Sequence, residues 1–253
     1  MIDYQQLIEK FRYALDNAWG YIWGTTGILW TQAKQDQKVA YMVSKYGANW
    51  KTSEDAKKDT YYYAAKDGAK WIGHYVADCS GLFVWAFKQL GGAIAHGSNS
   101  IYDRYCSSKG NLSGGKRTDG KTLQPGSAVF TNKNGDKTHI GLYVGNGKVI
   151  EAASTGKGVV ESNVTDSKWK CWGELKEVSY DTEPTPAPIP DDGTAVVVGG
   201  RLNMRQGPDK SCKIVTQIPN GKTVNLIDLP KGWSYVEYNG KQGFVMNEYL
   251  KGD

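Results

Sequence analysis

The stretch VADCSGLFVWAFKQLGG, Val76 to Gly92, decides how the first part of the chain is read. From Ser80 to Leu90 it has no breaker after Gly81 and is apolar nearly all round, which describes a helix buried on most sides. Gly91-Gly92 supplies the stop. Asp78 belongs to the residue types that cap a helix N-terminus, so Cys79 falls at the first helical position. A helix N-terminus presents free N–H groups and a partial positive charge. Both favour a thiolate over a thiol, whose ordinary pKa is about 8.5, and the same N–H groups can hold an oxyanion. A structural cysteine in a capped helix would carry the same signature. What separates the two is a base, and the chain offers His74, His96 and His139.

THIGLYVGNGKVIEAAS, Thr138 to Ser154, reads as a β-hairpin around Gly145-Asn146-Gly147. The turn length sets which side chains share a face. A two-residue Asn-Gly loop pairs Val144 with Val149 and sends His139 and Glu151 to opposite faces. A three-residue loop with left-handed Gly147 pairs Val144 with Lys148. Only the second gathers Ile140, Leu142, Val144, Ile150 and Ala152 on one apolar face. It places His139, Gly141, Tyr143 and Glu151 on the other, with Gly141 opposite Glu151 and His139 on the diagonal, within reach of long side chains. The apolar pattern therefore selects the register that puts a carboxylate beside an imidazole, the orienting role in a nucleophile–base–orienter set. His74, five residues before Cys79, is the rival base, but no orienting partner is evident for it.

Around these segments the organisation is plain. Residues 3–19 have helical apolar spacing, residues 31–70 are polar and helix-permissive, and strand signals cluster from Gly126 to Ala153. Helices first and a sheet later point to an α+β domain over residues 1–180. DTEPTPAPIPDDG, residues 181–193, holds four prolines and four acids and reads as an extended acidic linker. From Thr194 to Asp253 short β-rich runs alternate with Gly, Pro and Asn, and Asn239-Gly240 has the signal of a tight hairpin.

The net charge of +5 over 253 residues suits an anionic polymer but is no nucleic-acid footprint. The apolar runs fall far short of the roughly 18 residues a membrane span needs. The start lacks a basic segment followed by an apolar block, so no signal peptide is expected. No C-x-x-C pair occurs among Cys79, Cys106, Cys171 and Cys212, and neither a metal site nor a cofactor is expected. Cys106 and Cys171 either pair or stay free thiols, and the sequence decides neither.

DCSG opening a helix, then PGSAVF at Pro125 to Phe130, then HIGLYVGNGKVIEA from His139, resembles the NlpC-like cysteine peptidases of the bacterial cell wall. The resemblance implies a papain-like core with an antiparallel sheet packed on helices. It implies hydrolysis of peptidoglycan stem peptides, usually between γ-D-glutamate and the diamino acid. Cys79 is then the nucleophile, His139 the general base and Glu151 the orienter, at a position where the family usually has His, Asn or Gln. Tyr21 in YIWG, with Asp78 and Ser80, matches the positions that bind substrate. A length of chain not usual in the family, residues 25–77, separates YIWG from DCSG and is expected to form a cleft wall, a lid or a distant helical pad. LNMRQGPD at Leu202 to Asp209, followed by GWSYVEYNGKQGFV, resembles a bacterial SH3-type barrel, which implies a wall-binding module. The resemblance thus implies a monomeric hydrolase at the cell wall or outside the cell, with peptidoglycan as partner and neither nucleic acid nor a membrane span involved. Its origin stays open between a phage or prophage lysin and a chain whose leader has been removed. Two alternatives stand beside it: a CHAP-like N-acetylmuramoyl-L-alanine amidase or cross-bridge endopeptidase, and a catalytically inactive wall-binding protein.

Overall fold

The computed structural model describes residues 1–180, 193–208, 212–228 and 233–252, so the linker expected at 181–193 lies, except for Gly193, outside the described residues. The chain falls into two compact units, Met1–Tyr180 and Asp181–Asp253.

The first unit is α+β. It opens with β1 (Ile2–Asp3) and α1 (Tyr4–Asp16), whose N-cap Asp3 accepts the N–H groups of Gln5 and Gln6. There follow β2 (Thr26–Leu29), α2 (Gln32–Tyr46), α3 (Glu54–Lys57), α4 (Tyr62–Asp67), β3 (Tyr75–Ala77) and α5 (Cys79–Gln89). The remaining strands are β4 (Cys106–Ser113), β5 (Lys116–Arg117), β6 (Ala128–Phe130), β7 (Ile140–Gly145), β8 (Lys148–Ser154), β9 (Gly158–Asn163), β10 (Cys171–Leu175) and β11 (Val178–Ser179). Seven of them form one antiparallel sheet in the order β5-β4-β10-β6-β7-β8-β9.

Both faces of this sheet are covered. Ile140, Leu142, Ile150 and Ala152 pack with Phe11 of α1 and with Leu82, Phe83 and Phe87 of α5. Phe11 and Phe83 meet edge to face with centroids 4.7 Å apart. On the opposite face Val129 and Val149 are buried with Leu112, Trp169 and Trp172. That second cover explains why β8 is buried from Val149 to Ala152 rather than alternating between core and solvent.

The β7–β8 register is the one the apolar pattern demands, with Leu142 opposite Ile150. The turn differs from expectation. Asn146 and Gly147, both at positive φ, make a two-residue loop between Gly145 and Lys148, and a bulge between Tyr143 and Gly145 supplies the extra residue. A bulge and a longer loop each shift register by one, so packing of the apolar face selects the register whichever device provides it.

Residues 25–77 leave and return at one place. Thr26 pairs with Ala77 and Ile28 with Val76, closing the base of the excursion. Above that base the helices carry their own small core of Met42, Trp50, Ala56, Tyr62 and Ala65. Buried Gln35 ties the parts together, accepting Trp30 Nε1–H at 3.1 Å and donating to the Ala65 carbonyl at 2.8 Å.

Cys106 and Cys171 are both free and buried. Cys106 lies opposite Leu175 and Cys171 opposite Asn111. Four residues of strand, about 13 Å at roughly 3.3 Å per residue, therefore separate the two. A disulfide spans a Cα separation of at most about 7 Å.

The second unit is all β: β12 (Thr194–Val197), β13 (Leu202–Arg205), β14 (Ile214–Ile218), β15 (Thr223–Asp228), β16 (Trp233–Tyr238), β17 (Lys241–Met246) and β18 (Leu250–Gly252). They order as β14-β13-β17-β16-β15-β12-β18 around a core that includes Val197, Met204, Ile218, Val236 and Val245. Tyr238 pairs with Lys241 across Asn239-Gly240, both at positive φ, as the Asn-Gly signal requires.

Candidate active site

Cys79 is the first residue of α5, and Asp78 caps it by accepting the N–H of Gly81 at 2.7 Å. The capping carboxylate is 6% exposed and does more than cap. Its Oδ2 accepts the N–H of Gly24 at 2.8 Å. Its Oδ1 accepts the Ser80 hydroxyl at 3.1 Å. His96 Nε2 bridges both oxygens, at 3.0 and 2.8 Å. Ser80 in turn accepts the N–H of Gly97 at 3.1 Å. Asp78 and Ser80 are thus buried and engaged, and His96 belongs to this cluster.

The Cys79 sulfur is faced by the backbone N–H groups of Ile140, the first residue of β7, of Ser80 and of Cys79 itself. These donors favour a thiolate, as the helix terminus was expected to do. They are outweighed: burial, and then the charge of Asp78, push the thiol up to about 12. This balance favours the neutral thiol at rest. The Tyr21 phenol is also held above its ordinary value, by burial first and then by the charges of Cys79 and Asp78. Tyr21 thus stands at the site although some fifty residues intervene in sequence, because the β2–β3 base returns the chain to it.

His139 immediately precedes Ile140. Its Nε2 lies 2.6 Å from Glu151 Oε2. Glu151 is 1% exposed. Burial alone would raise this carboxyl, but hydrogen bonds from His139, Lys168 and Ser162 pull it down to about 2. Lys168 Nζ and Ser162 Oγ both reach Oε1 at 2.5 Å. An ionised carboxylate only accepts. Nε2 must then carry the proton, which leaves Nδ1 as the basic nitrogen of the neutral ring. Trp169 stacks on the imidazole, with centroids 5.8 Å apart and planes 20° apart. His74 is exposed and stands edge-on to Trp71 instead.

Capping and strand alternation singled out Cys79, Asp78, His139 and Glu151 as candidates. Sequence reasoning named His96 only as a possible base and missed Ser162, Lys168 and Trp169, which sit in loops or on a neighbouring strand. Gly81 carries a signal that was available. A Cβ there would lie 1.9 Å from the Thr25 carbonyl oxygen. Helix and loop backbone would have to part, so Gly81→Ala is expected to cost about 3 kcal/mol. Thermal denaturation should show a fall of roughly 10 °C.

Among the described residues no group of His, Cys, Asp or Glu is arranged to hold a metal ion. No helix among them is long and apolar enough to cross a membrane.

Residues 58–174 match the NlpC/P60 family, and residues 200–251 match the bacterial SH3 domain. The chain carries an NlpC/P60 domain. Within its matched stretch lie Asp78, Cys79, Ser80, His139 and Glu151, whereas Tyr21 precedes it. The domain is similar to part of murein DD-endopeptidase MepH of Escherichia coli, 31% identical over 96 residues, which is 37% of this chain and 32% of that protein. It is similar to part of peptidoglycan endopeptidase RipA of Mycolicibacterium smegmatis, 31% identical over 90 residues, or 36% of this chain and 16% of that protein. The chain therefore spans a third or less of the length of these relatives. The crystal structure of the NlpC/p60 domain of peptidoglycan hydrolase SagA aligns with 69% of this chain and all of that one, at 13% identity and a TM-score of 0.39.

Proposed function

We propose that the protein is a peptidoglycan hydrolase that cleaves stem peptides at the γ-D-glutamyl–diamino acid bond, with Cys79 as nucleophile. The observation that carries this reading is the 2.6 Å contact of His139 Nε2 with buried Glu151, beside Ile140, the strand residue whose N–H faces the Cys79 sulfur. The free nitrogen of His139 takes the thiol proton as the sulfur attacks the amide carbonyl. The carbonyl carbon gains the C–S bond, and N–H groups at the head of α5 hold the developing oxyanion. The imidazolium, stabilised by Glu151, protonates the leaving amine as the C–N bond breaks. Water then attacks the thioester, returning the thiol and a free carboxyl.

Because the resting thiol is neutral, His139 acts as a general base during attack rather than as half of a standing ion pair. Tyr21, Asp78 and Ser80 line the substrate side. A stem amine reaching Asp78 competes there with His96. The second unit, matched to the bacterial SH3 domain, holds the enzyme on the wall, where tethering raises the local concentration of stems. This reading places the protein at the cell wall or outside the cell, acting as a monomer.

Mass spectrometry of digested purified peptidoglycan tests the bond. New γ-D-glutamyl carboxyl ends are expected. Release of whole stems from muramic acid would make the protein an amidase, and an unchanged digest would make it a wall-binding protein.

A further inference from the structure

The loop that brings Tyr21 to the thiol continues into a groove on the side of the excursion. Trp23, Ile28, Trp30, Lys34, Lys38 and Tyr61 line most of it, around a volume of about 250 Å³. It begins one hydrogen bond from the reaction centre, since Gly24, also in its lining, donates to Asp78. Trp23 is 48% exposed and meets Tyr61 edge to face at 5.8 Å. The lining includes two lysines and no acid. Lys38 Nζ sits 3.5 Å from the centre of the Tyr61 ring. Burial lowers the affinity of that ammonium for its proton. A partly desolvated cation whose partner among the described residues is a ring quadrupole gains from an anion. A neutral sugar would leave both ammonium groups unmatched.

We propose that this groove binds a free carboxylate of the stem peptide, held by Lys34 and Lys38, with the neighbouring aliphatic chain against Trp23 and Tyr61. The inference rests on the stem-peptide reading above. It gives residues 25–77 a function: they build a substrate subsite beside the nucleophile. Lys34 and Lys38 both lie on α2, whose N-cap Thr31 accepts the Lys34 N–H. Their spacing of four residues puts them on one face of that helix.

The test uses the full chain and a synthetic stem, L-Ala-γ-D-Glu-diamino acid-D-Ala, with its side carboxyl groups either free or amidated. The wild type should show a KM roughly tenfold lower for the free acid, the scale of one partly exposed charged hydrogen bond. The double variant Lys34→Gln/Lys38→Gln should lose that preference, raising KM for the free acid only and leaving kcat within about twofold. Trp23→Ala should raise KM for both forms. Equal KM values with the wild type, or an equal shift on both forms in the lysine variant, would overturn the inference. Calorimetric binding to Cys79→Ala protein separates this from the catalytic reading. Lysine-dependent binding of the free acid without turnover by the wild type would keep the groove and discard the proposed reaction. Loss of the carboxylate preference in binding would discard the groove.

Discussion

Cys79→Ala should leave a folded protein that makes no new γ-D-glutamyl ends, with turnover down by roughly 10⁴- to 10⁶-fold. Only one sulfur is removed, and the cap on Asp78 and the packing of Phe83 and Phe87 do not depend on it. The thermal midpoint should therefore stay within a few degrees of wild type, which separates loss of chemistry from loss of fold. The thiol itself should behave as a masked nucleophile. With its pKa pushed up to about 12 by burial and by Asp78, iodoacetamide should react slowly near pH 6 and faster as the pH rises. Fast alkylation near pH 6 would mean a standing thiolate–imidazolium pair and would overturn the general-base step. A digest identical to wild type would remove Cys79 from the mechanism altogether.

Glu151→Gln should cut kcat by roughly 10²- to 10⁴-fold with little change in KM. The amide can still accept from His139, but it brings no charge to stabilise the imidazolium. It also turns an uncharged group toward Lys168, which now meets the carboxylate at 2.5 Å. The same residue predicts a stability profile. Its folded carboxyl is held at about 2, below its ordinary value of 4.5. A depressed carboxyl stabilises the fold above its unfolded value, and that contribution is lost as the pH falls through the folded value. Wild-type stability should therefore decline between about pH 4.5 and pH 2, by about 3 kcal/mol for this one group. The Gln variant should be less stable at pH 7 and flatter across that acid range. Urea denaturation at pH 7, 4 and 3 reads both differences, and parallel curves for the two proteins would show that the Glu151 carboxyl does not carry them.

These residues also show what a sequence can disclose. Asp78 and Cys79 were legible because a cap and an all-apolar run leave little choice of helix start. The β7–β8 register was legible because only one alignment collects Ile140, Leu142, Ile150 and Ala152. The turn was misread because a bulge at Val144-Gly145 and a longer loop give the same register. The burial of Glu151 was not legible. It depends on Lys168, which reaches the carboxylate, and on Trp169, which stacks on its partner His139, both from a segment without periodicity. His96 escaped for a similar reason, since its partner Asp78 was already assigned to a cap. The small core of the excursion, which includes Trp50 and Tyr62, formed from a stretch that reads as polar and helix-permissive, with no apolar periodicity to mark which side chains would be buried.

The Asp78 carboxylate has a consequence beyond the cap. Three stretches of chain, at Gly24, at Gly81 and at His96, end on its two oxygens. None of the three can swing away without leaving a buried charge short of a partner, a penalty of a few kcal/mol. Their fluctuations are therefore yoked. The amides of Gly24 and Gly81, fifty-seven positions apart, should therefore exchange with solvent through one shared opening, which hydrogen exchange would read as equal protection. The mouth of the site keeps a single gauge until that opening occurs.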